Sequence, residues 1–551
     1  MIVYTTAALF LVYIVNRAFI FQKDRSLTND KIVPRYVTLV PPLSIFGSLL
    51  PKSWLKFRVS TVWDFKEILY KDAPLKTVIF QPLLLGGRSI YSANIACLRH
   101  VLAVGAPYAK PSMGVLEIMG ANVVTSNGEI WKRHRRITAP VFNHNTYQNV
   151  WDTTAYVYAE MIKEDGWLNS GGAKEVNINE NTHKLALFLV STVGFGIPMS
   201  WSTPPLDENG ERSIQSIVFD ISANILLRGS LPSWAYKLGI KKLNDIDAAY
   251  NAFEKYLIEL IAQREIELKK VLDSEGHNSS IISNNIKDIL GRLVNSRLAE
   301  GKLSLTDEEI MGNCFIFAFA GHETTANTIA AMLAELAINP DKQEWLYTQI
   351  INVIGGRAPT FDDYDDLDCV LACFCEALRL YPAGYLMLRD SEKDDILSLS
   401  SSDNSVGKED FLIKKGDRVV LDLVGMLNDP ETYPNPRSFS PERWLSKESS
   451  EKKTSITKDL DAGEVSGNSS INTLNGFIGF SIGPRTCVGH KFAKVEAVAF
   501  LTHLIREWMI EPVKDPGETD TEWREKILSS PSFGITLAFD KVPLRFHRRS
   551  T

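Results

Sequence analysis

The sequence predicts a mainly α chain with a few short strands, and three observations carry that expectation. Long stretches of helical periodicity recur, the longest running from Thr306 to Asn339. Short β-type runs bounded by turn residues are fewer, at Thr77 to Phe80, Ser89 to Ser92, Gly384 to Leu388 and Phe411 to Leu423. A Gly/Pro loop from Phe480 to Gly489 presents one cysteine, Cys487, directly ahead of another helical run, His490 to Trp508.

The 551 residues are 45% hydrophobic and 23% charged, an ordinary globular balance with material for a large core. A net charge of −6 gives no reason to expect nucleic acid as a partner. The six cysteines (Cys97, Cys314, Cys369, Cys373, Cys375 and Cys487) are too few and too scattered for a disulfide framework, which points to a reducing compartment. Three of them cluster at 369–375, but no His or second Cys pair stands at zinc-site spacing, so they read as small helix-packing residues.

Met1 to Phe21 is apolar apart from a few polar residues, Asn16 and Arg17 among them. It matches the length of about 20 residues that a bilayer-spanning helix needs, provided Arg17 snorkels to the interface. A signal peptide fits less well, since no basic residues precede the apolar run and no small-x-small site follows it. Arg17, Lys23, Arg25 and Lys31 all lie on the C-terminal side, which puts the body in the cytosol and leaves the sequons at Asn278 and Asn468 unmodified. The expected division is an anchor over 1–21, a linker over 22–50 that includes the stiff Val40-Pro41-Pro42-Leu43, and a single domain over 51–551.

Within that domain, Trp54 to Tyr70 and Asn94 to Val104 read as helices, and Leu185 to Phe195 as a core helix. Ile214 to Arg228, Leu231 to Leu238 and the charged, amphipathic Glu254 to Val271 follow. The segments 391–410 and 446–475, rich in Ser, Asp, Lys and Gly, read as mobile surface insertions. Ser530 to Gly534 reads as a hairpin tip between Glu525–Leu528 and Ile535–Ala538.

Four constellations carry chemistry. Gly483 and Pro484 mark a turn, and Arg485 together with the N-terminus of the following helix favours a thiolate at Cys487. Such a group suits a metal ligand or a nucleophile; a structural cysteine is the alternative. Thr306-Asp307-Glu308-Glu309 is a capping box, and the helix it opens runs about 45 Å at 1.5 Å per residue before Pro340 stops it. Its apolar middle is interrupted by Gly321-His322-Glu323-Thr324-Thr325, where a threonine either bonds back to the i−4 carbonyl or does chemistry. Trp131 and Arg135, at i and i+4, share a helix face, with Lys132, Arg133 and Arg136 left toward solvent. Glu376 and Arg379, at i and i+3, meet on one helix face ahead of Arg443 in Pro441-Glu442-Arg443-Trp444.

The loop pattern Phe-x-x-Gly-x-Arg-x-Cys-x-Gly (Phe480, Gly483, Arg485, Cys487, Gly489) resembles the haem-binding loop of the cytochrome P450 superfamily. Ala320-Gly321-His322-Glu323-Thr324-Thr325 resembles the I-helix signature of that family, and the other two constellations occur in family order. The resemblance covers about 40–545 and implies a mainly α fold with a small β-rich lobe, the cytochrome P450 fold, preceded by one N-terminal transmembrane helix. It implies haem b (iron-protoporphyrin IX), with Cys487 as the axial iron ligand. Arg485, Trp131 and Arg135 would then contact propionates, Phe480 would pack near the sulfur and Gly489 would stand beside the group. Glu323 and Thr324 would deliver protons, with the small residues around them leaving room for dioxygen. Glu376, Arg379 and Arg443 would hold the haem-side fold together. His322 fills a variable slot with no ligand role.

The function so implied is a monooxygenase inserting one atom of dioxygen into a lipophilic small molecule, hydroxylation being the default. Electrons would come from NADPH through an NADPH-cytochrome reductase, with cytochrome b5 as an optional second donor and Lys132, Arg133 and Arg136 attracting the acidic partner. The microsomal type implies a single-pass protein of the endoplasmic reticulum membrane, in contact with lipid and facing the cytosol. A terpenoid or other secondary metabolite is the expected substrate class, with fatty acids, alkanes, sterols and xenobiotics as alternatives. An oxygen-independent hydroperoxide isomerase and a non-catalytic haem-binding protein are the rival classes; the Glu323–Thr324 pair speaks against both.

Overall fold

The computed structural model describes residues 2–25, 32–44, 47, 56–169, 171–202, 206, 212–275, 288–300, 304–401, 407–445 and 477–549. In chain order the strands are β1 (Arg35–Thr38), β2 (Thr77–Pro82), β3 (Ser89–Ser92), β4 (Tyr108–Ala109), β5 (Ala173–Asn177), β6 (Leu386–Ser391), β7 (Asp395–Leu399), β8 (Glu409–Ile413), β9 (Arg418–Asp422), β10 (Trp508–Pro512), β11 (Ser532–Phe533), β12 (Leu537–Ala538) and β13 (Pro543–Arg548). The longer helices are α1 (Ile2–Arg25), α2 (Ile95–Val101), α3 (Gly128–Thr138), α4 (His144–Glu164), α5 (Ile178–Leu189), α6 (Ile214–Ser230), α7 (Lys241–Glu275), α8 (Ile289–Glu300), α9 (Asp307–Ile338), α10 (Pro340–Ile354), α11 (Asp368–Leu380), α12 (His490–Glu507) and α13 (Asp520–Leu528). The chain falls into two units, one of residues 1–111, 379–438 and 462–486, the other of 112–378, 439–461 and 487–551.

The first unit is built on a six-stranded sheet of order β1-β2-β3-β9-β6-β4. The expected strands at 77–80 and 89–92 are its antiparallel pair β2 and β3, with Val78 opposite Tyr91. Val78, Ile79, Phe80, Ile90, Val419, Val420 and Leu421 are all buried, so β-branched and aromatic side chains fill both faces of the central strands. The two strands expected around 415–417 also form, but in different sheets: β8 pairs with β7, and β9 with β3 and β6. Asp417 fixes the turn between them, accepting from Arg88 Nε at 2.9 Å and from the Lys414 amide at 2.7 Å.

In the expected insertion 391–410, the described residues 391–401 and 407–410 include regular structure. The segment contains β7, whose Leu397 and Leu399 are buried, as are Phe411 and Ile413 of β8. The alternation Ile396-Leu397-Ser398-Leu399 was the signal, masked by its polar flanks. The other expected insertion, 446–475, lies outside the described residues. The helix expected over 54–70 is reduced, among the described residues, to the single turn Thr61–Asp64, because β-branched and aromatic neighbours there support a helix poorly and mixed three- and four-residue turns follow.

α1 is one continuous helix. Among the described residues no helix is long and apolar enough to cross a membrane. Arg17 does not reach out as a snorkelling residue would. Its guanidinium donates to the carbonyls of Pro82 (2.6 Å) and Leu83 (3.1 Å), and the Tyr13 hydroxyl donates to that of Leu84. Leu11, Val12, Val15 and Phe19 on the helix remain exposed, as do Leu83, Leu84 and Leu85 beside it.

The second unit is helical and organised around α9. The predicted capping box is present, with the Thr306 side chain accepting from the Glu309 amide and the Glu309 carboxylate from the Thr306 amide. Nearly every residue of α9 from Ile310 to Ala337 is buried, and each large apolar side chain so enclosed contributes about 1.5–3 kcal/mol. The core helix expected over 185–195 starts earlier, as α5, and ends in a π-helical turn, Val190–Gly194. Residues 525–528 are not a hairpin arm: they end α13, whose own capping box, Thr519 and Glu522, the sequence reading passed over. The hairpin is β11–β12, with Phe533 paired to Leu537.

Candidate functional site

The cysteine loop is shaped by two short 3₁₀ turns, Ile478–Phe480 and Gly483–Arg485. Gly483 has φ 70°, and a Cβ there would stand 2.5 Å from the carbonyl oxygen of Leu102, so only glycine fits. Thr486 closes the turn, its amide (3.0 Å) and hydroxyl (2.7 Å) both donating to the Gly483 carbonyl. Ser481 Oγ reaches Met387 Sδ of β6 at 3.3 Å, and Phe480 packs edge-on against Phe477. Gly489 is the N-cap of α12, so Cys487 stands at the positive end of that helix. Cys487 is exposed, whereas the other five cysteines are buried. Burial pushes the thiols of Cys97, Cys369 and Cys375 up to about 12 and those of Cys314 and Cys373 up as well, which leaves these five inert.

On α3, Trp131 and Arg135 are half-buried, while Lys132 and Arg136 are exposed as expected. Burial draws the Arg135 guanidinium below its usual range and the nearby Cys487 charge opposes the shift, so these two predicted residues come together. Arg133 departs from expectation. It forms an ion pair with Glu309, the acid of the α9 capping box. His134 beside it is fully buried, its Nδ1 2.9 Å from Asn313 Nδ2, and Asn313 Oδ1 accepts from the Val123 amide at 3.0 Å. Desolvation lowers His134 and keeps it neutral. Three successive residues of α3 thus face different neighbours, which a two-face division of the helix could not anticipate.

In the middle of α9, Thr324 Oγ1 donates to the Ala320 carbonyl at 2.7 Å, the back-bond open to any helical threonine. Glu323 is half-buried, and burial raises its carboxyl while a hydrogen bond from Thr536 Oγ1 to Oε2, 2.8 Å long, pulls it back. His322 points elsewhere. It is buried, held neutral by a shift down to about 3, and lies 3.1 Å from Nδ1 of His183 on α5. Gly321 serves packing, since a Cβ there would come within 2.9 Å of Val190 Cγ2 on the π-helical turn. One turn earlier, Phe315, Ala318 and Phe319 join Val218, Ile221 and Ile225 of α6 around an apolar pocket of 10 Å³, with the Ser222 hydroxyl also on its wall. A larger open pocket of 330 Å³ is lined by Asp152, Thr153, Tyr156, Phe188 and Thr192, and neither Glu323 nor Thr324 is among its lining residues.

Glu376 and Arg443 meet as predicted. Glu376 is fully buried and accepts from Arg443 Nε (3.1 Å), Trp444 Nε1 (2.9 Å) and the Ser440 amide (3.0 Å). Arg379, also fully buried, donates to the carbonyls of Leu427 (2.9 Å), Pro436 (2.8 Å) and Ser438 (3.2 Å) and lies over the Tyr433 ring.

One residue was missed. Arg389 on β6 is buried, and among the described residues its guanidinium finds only the Leu388 carbonyl, at 2.7 Å. Desolvation pushes it down to about 10. A buried guanidinium without a carboxylate is costly unless an anion is supplied. The sequence signal was a lone arginine in the apolar Leu386-Met387-Leu388 strand, on the same face as Met387, which touches Ser481 of the cysteine loop.

The residues of each unit fit a haem. In one, an accessible thiol at a helix N-terminus has a desolvated arginine in electrostatic reach. In the other, a buried arginine with no protein acid suits a propionate. Among the described residues, leaving out its chain neighbours, no atom stands within 4 Å of a Cβ placed on Gly489, so there is room for a bound group against that side of the loop.

A family profile described as Cytochrome P450 matches residues 89–537. Among curated proteins, the chain is 29% identical over 518 residues to Cytochrome P450 monooxygenase 124 of Postia placenta, covering 92% of this chain and 91% of that protein. It is 25% identical over 542 residues to Cytochrome P450 monooxygenase prx9 of Penicillium rubens, covering 92% and 90%. It is also 25% identical over 408 residues to Cytochrome P450 3A1 of Rattus norvegicus, covering 73% and 72%.

Proposed function

The chain belongs to the cytochrome P450 family and is a monooxygenase of it, and we propose that it inserts one atom of dioxygen into a lipophilic small molecule, most simply as a hydroxyl group. The observation that carries this reading is the Glu323–Thr324 pair on α9, one turn beyond the apolar pocket. Cys487 would hold the iron as its thiolate, Arg485, Trp131 and Arg135 would hold the propionates, with Arg389 added to them, and Phe480 and Gly489 would flank the group. When bound, the haem supplies activation of dioxygen, and a thiolate ligand favours O–O cleavage.

The chain's own residues supply protons and dryness. Burial disfavours the charged form of Glu323 and raises its carboxyl, which moves it toward the range of a general acid. The Thr324 hydroxyl donates to the Ala320 carbonyl, which leaves its oxygen lone pairs available to accept a hydrogen bond and so to hold a proton donor in place. Phe315, Phe319, Val218 and Ile221 give the space beside the pair an apolar lining, which supports a dry, apolar site. We favour a terpenoid or other secondary metabolite over a fatty acid, alkane, sterol or xenobiotic; the pocket itself supports lipophilicity alone.

Electrons would come from NADPH through a membrane-bound reductase, with cytochrome b5 as a second donor, drawn by the exposed Lys132 and Arg136. Reconstitution with a reductase, NADPH and ¹⁸O₂ should place one ¹⁸O atom in the product of a lipophilic panel, and Glu323→Gln should divert consumed oxygen to hydrogen peroxide. Rearrangement of a fatty-acid hydroperoxide without oxygen or NADPH would overturn this reading in favour of an isomerase.

We also propose that α1 anchors the protein on the endoplasmic reticulum, with the body in the cytosol. The exposed Leu11, Val12, Val15 and Phe19 and the neighbouring Leu83, Leu84 and Leu85 support it. Deleting residues 1–25 should move most of the protein from the microsomal pellet to the supernatant after a high-salt wash, and an unchanged pellet fraction would reject α1 as the anchor.

A further inference from the structure

The geometry points to Thr536 as a positioning residue for Glu323: its hydroxyl fixes the carboxyl of the distal acid and ties it to the β11–β12 hairpin, so that pressure on the hairpin reaches the proton-delivery pair. The inference rests on the reading of Glu323 as that acid.

The contacts form a continuous path within one unit. Thr536 Oγ1 donates to Glu323 Oε2 at 2.8 Å. One helical turn on, Asn327 Oδ1 accepts from the Phe539 amide at 3.2 Å, while Asn327 Nδ2 donates to the Glu323 carbonyl at 2.8 Å. The hairpin and its outgoing strand are therefore pinned to α9 at two points spaced i, i+4. Asn179 of α5 donates to the Phe539 carbonyl, which holds this strand from the other side. At the tip, the Gly534 amide donates to the Thr536 carbonyl at 3.1 Å, so tip and threonine move as one. A Cβ on Gly534 would stand 3.3 Å from Leu226 Cδ1 on α6, the helix that walls the apolar pocket with Val218, Ile221 and Ile225.

Among the described residues, Thr536 is the side chain in hydrogen-bond contact with the acid. The neighbouring His322 is turned to His183, and both are kept neutral by burial, so neither places a cation on Glu323. Among the described residues, the hydroxyl of Thr536 is the side-chain partner whose hydrogen bond draws Glu323 toward its ionised form. A molecule seated against α6 and the tip would thus press on the element that orients the acid. Proton delivery would then be tuned by occupancy.

The test uses the full-length holoprotein. Infrared difference spectra on photolysis of carbon monoxide from the reduced haem report carboxyls near the ligand, and the band lost in Glu323→Gln identifies Glu323. Thr536→Val, nearly isosteric, should move that band to higher frequency and raise its titration midpoint, and Thr536→Ser should restore both, with thermal unfolding unchanged among the three. Under turnover with reductase, NADPH and dodecane, Thr536→Val should raise peroxide released per NADPH severalfold, and Thr536→Ser should bring it back. A Glu323 band that does not move in Thr536→Val overturns the inference. Peroxide release unchanged in Glu323→Gln, with the band shift intact, would instead remove the proton-delivery reading and leave the positioning contact standing.

Discussion

Cys487→Ser should abolish the red-shifted Soret band of the reduced, carbon monoxide-bound protein and reduce oxygen insertion to background. The argument is one of donor chemistry. A cysteine at a helix N-terminus gives up its proton readily, and the soft thiolate is a strong iron ligand. A serine hydroxyl in the same place stays protonated and is a hard, weak donor. Because Cys487 is exposed and the loop around it is shaped by Gly483, Thr486 and Gly489, the substitution leaves those loop contacts in place. Far-ultraviolet circular dichroism and unfolding temperature should therefore stay at wild-type values while the band is lost. Retention of the band in the serine variant would remove Cys487 as ligand, and the roles given to Arg485, Phe480 and Gly489 would fall with it.

Sequence pattern was most informative where local chemistry settles the structure. The box at Thr306 and Glu309 and the stop at Pro340 bounded α9 to within a residue, because capping groups and proline act on their immediate neighbours. The loop at Gly483 was equally legible, since a left-handed backbone against Leu102 admits only glycine. Relations between distant segments were not legible. Arg133 looked like a solvent-facing cation until Glu309, 176 residues away, supplied its partner. The polar flanks of β7 hid Leu397 and Leu399, which register against β8 buries. Thr536 carries no signature at all, because its significance lies in which carboxyl the hairpin brings it to. Arg389 could have been found, as a charge inside an apolar alternation needs a reason.

Glu376→Ala should be the most destabilising single change in the Glu376, Arg379 and Arg443 set, by about 3–5 kcal/mol, the range for removing one partner of a buried ion pair. The carboxylate is fully buried and holds three donors at once: Arg443 Nε, Trp444 Nε1 and the Ser440 amide. Alanine takes the carboxylate acceptor away from a guanidinium that is only 15% exposed, an indole N–H and a backbone N–H at once. With ordinary domain stability at about 5–15 kcal/mol, such a loss would put much of the protein below the threshold for retaining its cofactor at growth temperature. Glu376→Gln should fall between wild type and alanine, since the amide oxygen can still accept while its NH₂ opposes one donor. Glu376→Leu combined with Arg443→Leu should recover part of the loss, because no buried charge is then left alone. Urea unfolding followed by circular dichroism would measure the series. A midpoint for Glu376→Ala within about 0.5 kcal/mol of wild type, the scatter of ordinary surface substitutions, would show that water or backbone movement satisfies the three donors and that the cluster is not what holds 440–444 to α11.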